Sequence, residues 1–155
     1  MRRLFQYLIR KIIGSAVHSI INEEIRVWGD PQRLKIAPTA QMVNTLFNTS
    51  SGRIEVGEYA FTGHNVSILT GTHDYRLIGE ERLSVFPKEG NDIIIGKGVW
   101  IASNAIVLGP CKIGDNAVVA AGSLVKGDVP SGAIVAGIPA KPIGFLENAS
   151  ETGGL

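Results

Sequence analysis

The sequence predicts an all-β solenoid preceded by one amphipathic α-helix, and three observations carry that prediction. Aliphatic residues recur at strict six-residue spacing at Ile95, Ile101, Val107, Ile113, Val119 and Val125. Self-similarity at a fixed short period marks a chain that stacks one structural unit repeatedly. The residues two positions before each repeat aliphatic are Ala40, Ile54, Ala60, Val66, Ile93, Val99, Ala105, Cys111, Ala117 and Ser123, all small or aliphatic. In a strand, residues i and i−2 share a face, so each hexad offers two inward side chains. Composition agrees: glycine is abundant at 19 of 155 residues, and small and β-branched aliphatics outnumber aromatics. That balance suits tightly wound β structure better than a helical bundle.

Residues 1–30 read as a helix and connector. Phe5, Leu8, Ile9, Ile12, Ile13, Ala16, Val17, Ile20 and Ile21 fall on one stripe at helical spacing, which predicts a helix over about 3–23. Gly14 costs that helix about 1 kcal/mol relative to alanine. Arg2, Arg3, Arg10 and Lys11 flank the stripe, but its second half carries Glu23 and Glu24. Packing on the protein or a sister subunit is therefore favoured over a membrane surface. Arg10 and Lys11 also interrupt the run that a signal peptide needs. No stretch reaches the roughly 18 apolar residues of a membrane span. Gly29-Asp30-Pro31 breaks the helix.

The solenoid domain is expected over 31–146, with a flexible tail at 147–155. Ile36 and Met42 open the series, and Val56, Thr62 and Ile68 continue it. The step from Met42 to Val56 is two hexads plus two residues. Gly57, Gly63, Gly96 and Gly114 follow aliphatic positions, where backbone freedom suits a sharp corner. Three hexads make one triangular coil of 18 residues. Ile95 should then stack on Ile113, Ile101 on Val119, and Val107 on Val125. Cys111 falls at an inward position and reads as a core residue rather than a nucleophile. The rhythm stops once, just after His73, and a charged loop at 74–94, expected to be irregular, precedes its return at Ile95.

Composition also limits function. The net charge of +1 demands neither nucleic acid nor an acidic partner. A single cysteine excludes an internal disulfide framework and fits a reducing compartment, so a cytoplasmic location is expected.

The stretch IIIGKGVWIASNAIVLGPCKIGDNAVVAAGSLVKGDVPSGAIVAGIPAKPIG resembles the C-terminal coils of the hexapeptide-repeat acyltransferases. It is most similar to sugar O-acetyltransferases of the maltose and galactoside type. GVWIASN, AAGS and VAGIPAKPI fall in register with the hexads, and the resemblance covers about residues 34–144. It implies a left-handed parallel β-helix, a departure from the usual right-handed crossover. It further implies a homotrimer with active sites between neighbouring subunits, and acetyl-CoA as acyl donor with no metal.

His73, within ILTGTHDYRL, matches the family's catalytic histidine, which ends a strand before a loop excursion. A hydroxyl attacks a thioester only as a base removes its proton, and imidazole suits that task near neutral pH. The oxyanion that forms needs a donor, for which a backbone N–H near Ser103 is implied. The loop would wall a cleft that a bare prism lacks. Asn48 matches an asparagine that contacts the acceptor sugar, though NTSSG is also turn-like. Asp74 is a candidate to bind acceptor or orient the imidazole, though adjacent strand residues point to opposite faces, and Glu80 and Glu81 are candidate partners for His73 for which solvated loop charge is the favoured reading. Trp100, Ser103, Ala121, Lys126 and Lys141 match cleft or CoA positions. Lys126 stands one residue earlier than the usual lysine, and Lys141 replaces an arginine. His64 reads as an exposed corner residue and His18 as structural.

Three other functions compete. The same machinery could acetylate an amine on an amino sugar or xenobiotic. A γ-type carbonic anhydrase needs three histidines around zinc, and His18 of the three here lies outside the repeat. A non-catalytic scaffold leaves His73 and its loop unexplained.

Overall fold

A computed structural model describes residues 25–147. The helix expected at 3–23, His18 and most of the tail expected at 147–155 lie outside the described residues. The described chain forms fourteen short strands. In order they are β1 (Arg26–Trp28), β2 (Leu34–Ile36), β3 (Leu46–Asn48), β4 (Ile54–Val56), β5 (Phe61–Thr62), β6 (Ser67–Leu69) and β7 (Ile93–Ile95). Then come β8 (Trp100–Ile101), β9 (Ile106–Leu108), β10 (Cys111–Ile113), β11 (Val118–Val119), β12 (Leu124–Lys126), β13 (Ala133–Gly137) and β14 (Ala140–Phe145).

They assemble into three walls of a prism. Wall one runs β1-β3-β6-β9-β12, wall two β2-β4-β7-β10, and wall three β5-β8-β11-β13-β14. All pairings are parallel except the closing β13–β14 hairpin, which the hexad pattern does not announce. Among the described residues the first ladder pair is Arg26 with Leu46, five residues before the expected boundary at 31.

The stacking follows the hexads. Ile95 lies beside Ile113, Ile101 beside Val119, and Val107 beside Val125. All six are buried, as are Ile54, Ala60, Val66, Ile93, Val99, Ala105, Cys111, Ala117 and Ser123 at the i−2 positions. Thr62 occupies an aliphatic position at little cost. Its hydroxyl lies 2.7 Å from that of Thr45 and accepts from the Val43 N–H at 3.0 Å, so the buried oxygen is satisfied.

The irregular step between Met42 and Val56 has a structural cause. Phe47, fully buried, fills the place beside Ile68. The corner before Phe47 is one residue short of a hexad and the corner after it three residues long.

The corner glycines correct one expectation. Gly57, Gly63, Gly96 and Gly114 do not have positive φ. They are glycine because the next coil passes too close. A Cβ on Gly63 would lie 2.6 Å from the Ser103 nitrogen, and one on Gly57 2.8 Å from the Gly96 carbonyl carbon. The left-handed corner residues stand two further on, at Tyr59, Asn65, Gly98 and Asn116, and Asn104 and Gly122 turn equivalent corners.

Candidate functional site

The insertion between β6 and β7 leaves the edge joining walls one and two. Adjacent coils flanking it are 39 residues apart in sequence, against 18 for a plain coil. Within it, Gly79–Ser84 is a short helix, α1, where irregular structure was expected. Its sequence GEERLS is rich in helix formers, with Glu80 and Glu81 in the first turn and Arg82 in the last, which suits the helix dipole. The loop is tied back to the coils, since Arg33 Nη1 donates to the Lys88 carbonyl at 2.6 Å and the Asn91 N–H to the Ser51 carbonyl at 3.1 Å.

His73 emerges where wall one ends. The strand leading to it is fixed by buried hydroxyls: Thr70 Oγ1 donates to the Asn48 carbonyl at 2.8 Å and accepts from the Ser51 N–H at 3.1 Å. The imidazole itself is exposed. Its Nδ1 lies 2.7 Å from the carbonyl oxygen of Arg82. A carbonyl can only accept, so Nδ1 carries a proton, and in the neutral ring the free lone pair is on Nε2. The ring of Phe86 meets the imidazole at 5.5 Å between centroids. Arg82 and Phe86 escaped the sequence analysis. Nothing in a charged loop announces which carbonyl it will turn inward.

Asn48 lies at the same edge. Its Oδ1 accepts from the Ser50 N–H at 2.9 Å, the turn role NTSSG suggests. Its carboxamide also presses on Gly71, two residues before His73, where a Cβ would come within 2.8 Å of the Asn48 Cγ. Asp74 is turned to Arg76 instead of the imidazole, with Arg76 Nε and Nη2 at 2.8 and 2.7 Å and the Arg76 N–H at 3.0 Å. Those hydrogen bonds hold its carboxyl at about 2. Glu80 and Glu81 are exposed on α1. Beside Phe86 a cavity of about 270 Å³ opens between the first coil and the loop, floored by Thr49 and Ser50 and walled by Phe86 and Lys88. Lys88 Nζ sits 3.6 Å above the Phe86 ring.

The donor-side candidates occupy other parts of the prism. Ser103 and Ala121 lie one coil apart on the edge joining walls three and one. The Ser103 hydroxyl accepts from the His64 N–H at 3.1 Å, and His64 is an exposed corner residue. Trp100 and Lys141 project from wall three, with Trp100 stacked on Phe61 at 5.8 Å. Lys126 ends β12, on the same wall-one exit as Asn48 and Leu69. Within this chain, therefore, His73 and Asn48 lie at the same edge. Ser103 and Ala121 do not join them, because the full width of wall one intervenes. Cys111 is 6 % exposed, and burial pushes its thiol up to about 12, as expected of a core residue.

The family model of the bacterial transferase hexapeptide (six repeats) matches residues 92–127. The chain is 36 % identical over 138 residues to serine acetyltransferase 4 of Arabidopsis thaliana, covering 89 % of this chain and 35 % of that protein. It spans between 28 % and 52 % of the length of the curated relatives it matches. Among solved structures, the hexapeptide-repeat-containing acetyltransferase VCA0836 of Vibrio cholerae superimposes with a TM-score of 0.65 at 23 % identity, over 86 % of this chain and 80 % of that one. That likeness shows the fold, the left-handed parallel β-helix. A maltose O-acetyltransferase from Clostridium difficile 630 gives a TM-score of 0.56 at 27 % identity, over 81 % of this chain and 68 % of that one.

Proposed function

Because this chain is a hexapeptide-repeat protein whose relatives are acetyltransferases, we propose that it moves an acetyl group from acetyl-CoA to a hydroxyl of a sugar or glycan, with His73 as general base. The observation that carries the proposal is the His73 Nδ1 contact to the Arg82 carbonyl at 2.7 Å. In the neutral ring this contact makes Nε2 the nitrogen with the free lone pair, the one able to accept a proton.

The steps then balance. His73 Nε2 takes the acceptor hydroxyl proton as that oxygen bonds to the thioester carbonyl carbon. A backbone N–H near Ser103 stabilises the oxyanion. Collapse breaks the carbon–sulfur bond, and His73 returns the proton to the departing CoA sulfur. Asn48 and Asp74 contact the acceptor beside His73. Trp100, Ser103, Ala121, Lys126 and Lys141 hold CoA, with the two exposed lysines meeting phosphates as point charges.

The separation of His73 from Ser103 and Ala121 across wall one favours a homotrimer. A neighbour's three-one edge then faces this protomer's one-two edge, and each site takes residues from both. The one cysteine, free and buried, supports a reducing, cytoplasmic location. The test is thiol release from acetyl-CoA across sugars, nucleotide-sugars and amino sugars. Turnover on a hydroxyl acceptor supports the proposal. Turnover only on amines replaces it with N-acetylation, and silence on every acceptor favours a scaffold.

A further inference from the structure

We propose that Arg82 is a positioning residue: its guanidinium cinches the loop so that its own carbonyl fixes the tautomer and direction of the His73 ring. The inference rests on the assignment of His73 as the base.

His73 is exposed, and its imidazole hydrogen-bonds the Arg82 carbonyl and packs against the Phe86 ring. The solenoid core therefore does not hold it. The carbonyl that does belongs to α1, a helix of six residues that buries no side chain and whose N-cap, Ile78, makes no side-chain capping bond. Helices this short do not persist by their own hydrogen bonds, because nucleation is unfavourable and isolated helices below about 12 residues are marginal. Something outside the helix must keep the carbonyl in place.

Arg82 supplies that restraint from its other end. Its Nε donates to the Leu77 carbonyl at 2.5 Å and its Nη2 to the Tyr75 carbonyl at 3.0 Å. Leu77 is itself tied to His73's neighbour, its N–H donating to the Asp74 carbonyl at 3.2 Å. The result is a closed ring of chain from His73 through Asp74, Leu77 and Arg82 back to the imidazole. One residue closes it with both main chain and side chain. The geometry needs a planar fork with two donors aimed at carbonyls two residues apart. Lysine, a single point charge, can restore only part of it.

The experiment uses the full-length protein labelled with nitrogen-15 in histidine, together with steady-state kinetics on one confirmed acceptor. Wild type should show His73 protonated at Nδ1. Arg82→Ala should give a mixture of tautomers and a kcat lower by about 10- to 100-fold, the upper figure being what a 1 Å misplacement costs. Its KM for acetyl-CoA should stay within about twofold, since a lost orientation acts on the chemical step and not on donor binding. Arg82→Lys should fall between the two, and Glu80→Ala, on the same helix, should match wild type in both readouts. An Arg82→Ala protein with the wild-type tautomer overturns the proposal, whether or not its kcat falls. If His73→Ala keeps full turnover, the base assignment fails instead, and the tautomer measurement still decides the role of Arg82.

Discussion

Ile113→Ala tests the packing on which the site depends. Ile113 is fully buried, lies beside Ile95 in the wall-two ladder and bridges to Val129. Removing three buried carbons forfeits about 2.4 kcal/mol at roughly 0.8 kcal/mol each. The parallel backbones on either side are held by ladder hydrogen bonds and cannot collapse into the space, so the cavity brings the total to about 3–5 kcal/mol. Urea unfolding followed by far-ultraviolet circular dichroism measures it, at fixed protein concentration because assembly would add to stability. With m near 2 kcal/mol/M, the midpoint should drop by about 1.5–2.5 M with m unchanged. Lys112→Ala, exposed in the same strand, should stay within about 0.5 kcal/mol. An Ile113→Ala protein no less stable than the Lys112 variant would refute the reasoning. So would a soluble, folded Ile113→Asp protein, because an unpaired buried carboxylate costs several kcal/mol.

Tyr59 has φ of 58° at a corner where neighbouring coils use asparagine or glycine; Tyr59→Asn should raise the unfolding free energy by about 1 kcal/mol in the same urea assay. Cys111 should resist a neutral-pH thiol reagent in native protein and react once unfolded, because its thiol is pushed up to about 12. The Asp74 carboxyl is lowered from 3.8 to about 2 chiefly by the Arg76 side-chain hydrogen bond. Its contribution to holding the loop is thus complete above the unfolded value and lost as pH falls through about 2. Carbon-13 titration should show that midpoint and its rise in Arg76→Ala. Asp74→Asn should keep the increase of rate with pH, because Asp74 stays ionised across the neutral range.

The solenoid was legible because its signal is repeated. Burial at both Ile113 and Cys111 follows from a period that many coils enforce. Where the repeat lapses, legibility lapses too. Phe47 sits at a core position that no hexad count reaches, because its two flanking corners differ in length. The glycines were identified as corner residues for the wrong reason: period reveals that a corner exists, but not that the next coil fills the space of a Cβ. That His73 lies beside the inserted loop was legible from its place before the charged stretch, and the structure puts Asn48 at the same edge. Arg82 was not legible, because its role depends on a carbonyl direction set by a short helix and a side-chain clamp, neither of which has a periodic signature. The split of candidates between two edges of the prism was equally hidden, since hexad position gives the wall but not which edges meet in an assembly.

The assignment of His73 is tested most directly by kcat on one confirmed acceptor for His73→Ala and His64→Ala. His73 is exposed, four residues past the end of β6 and outside the core, so its alanine variant should fold, assemble and bind acetyl-CoA as wild type does. Its kcat should fall by about 10²–10⁴-fold, the contribution of a positioned general base, and the wild-type rate should rise with pH because only neutral imidazole accepts a proton. His64→Ala should keep most of its turnover. Near-wild-type kcat in His73→Ala would contradict the account.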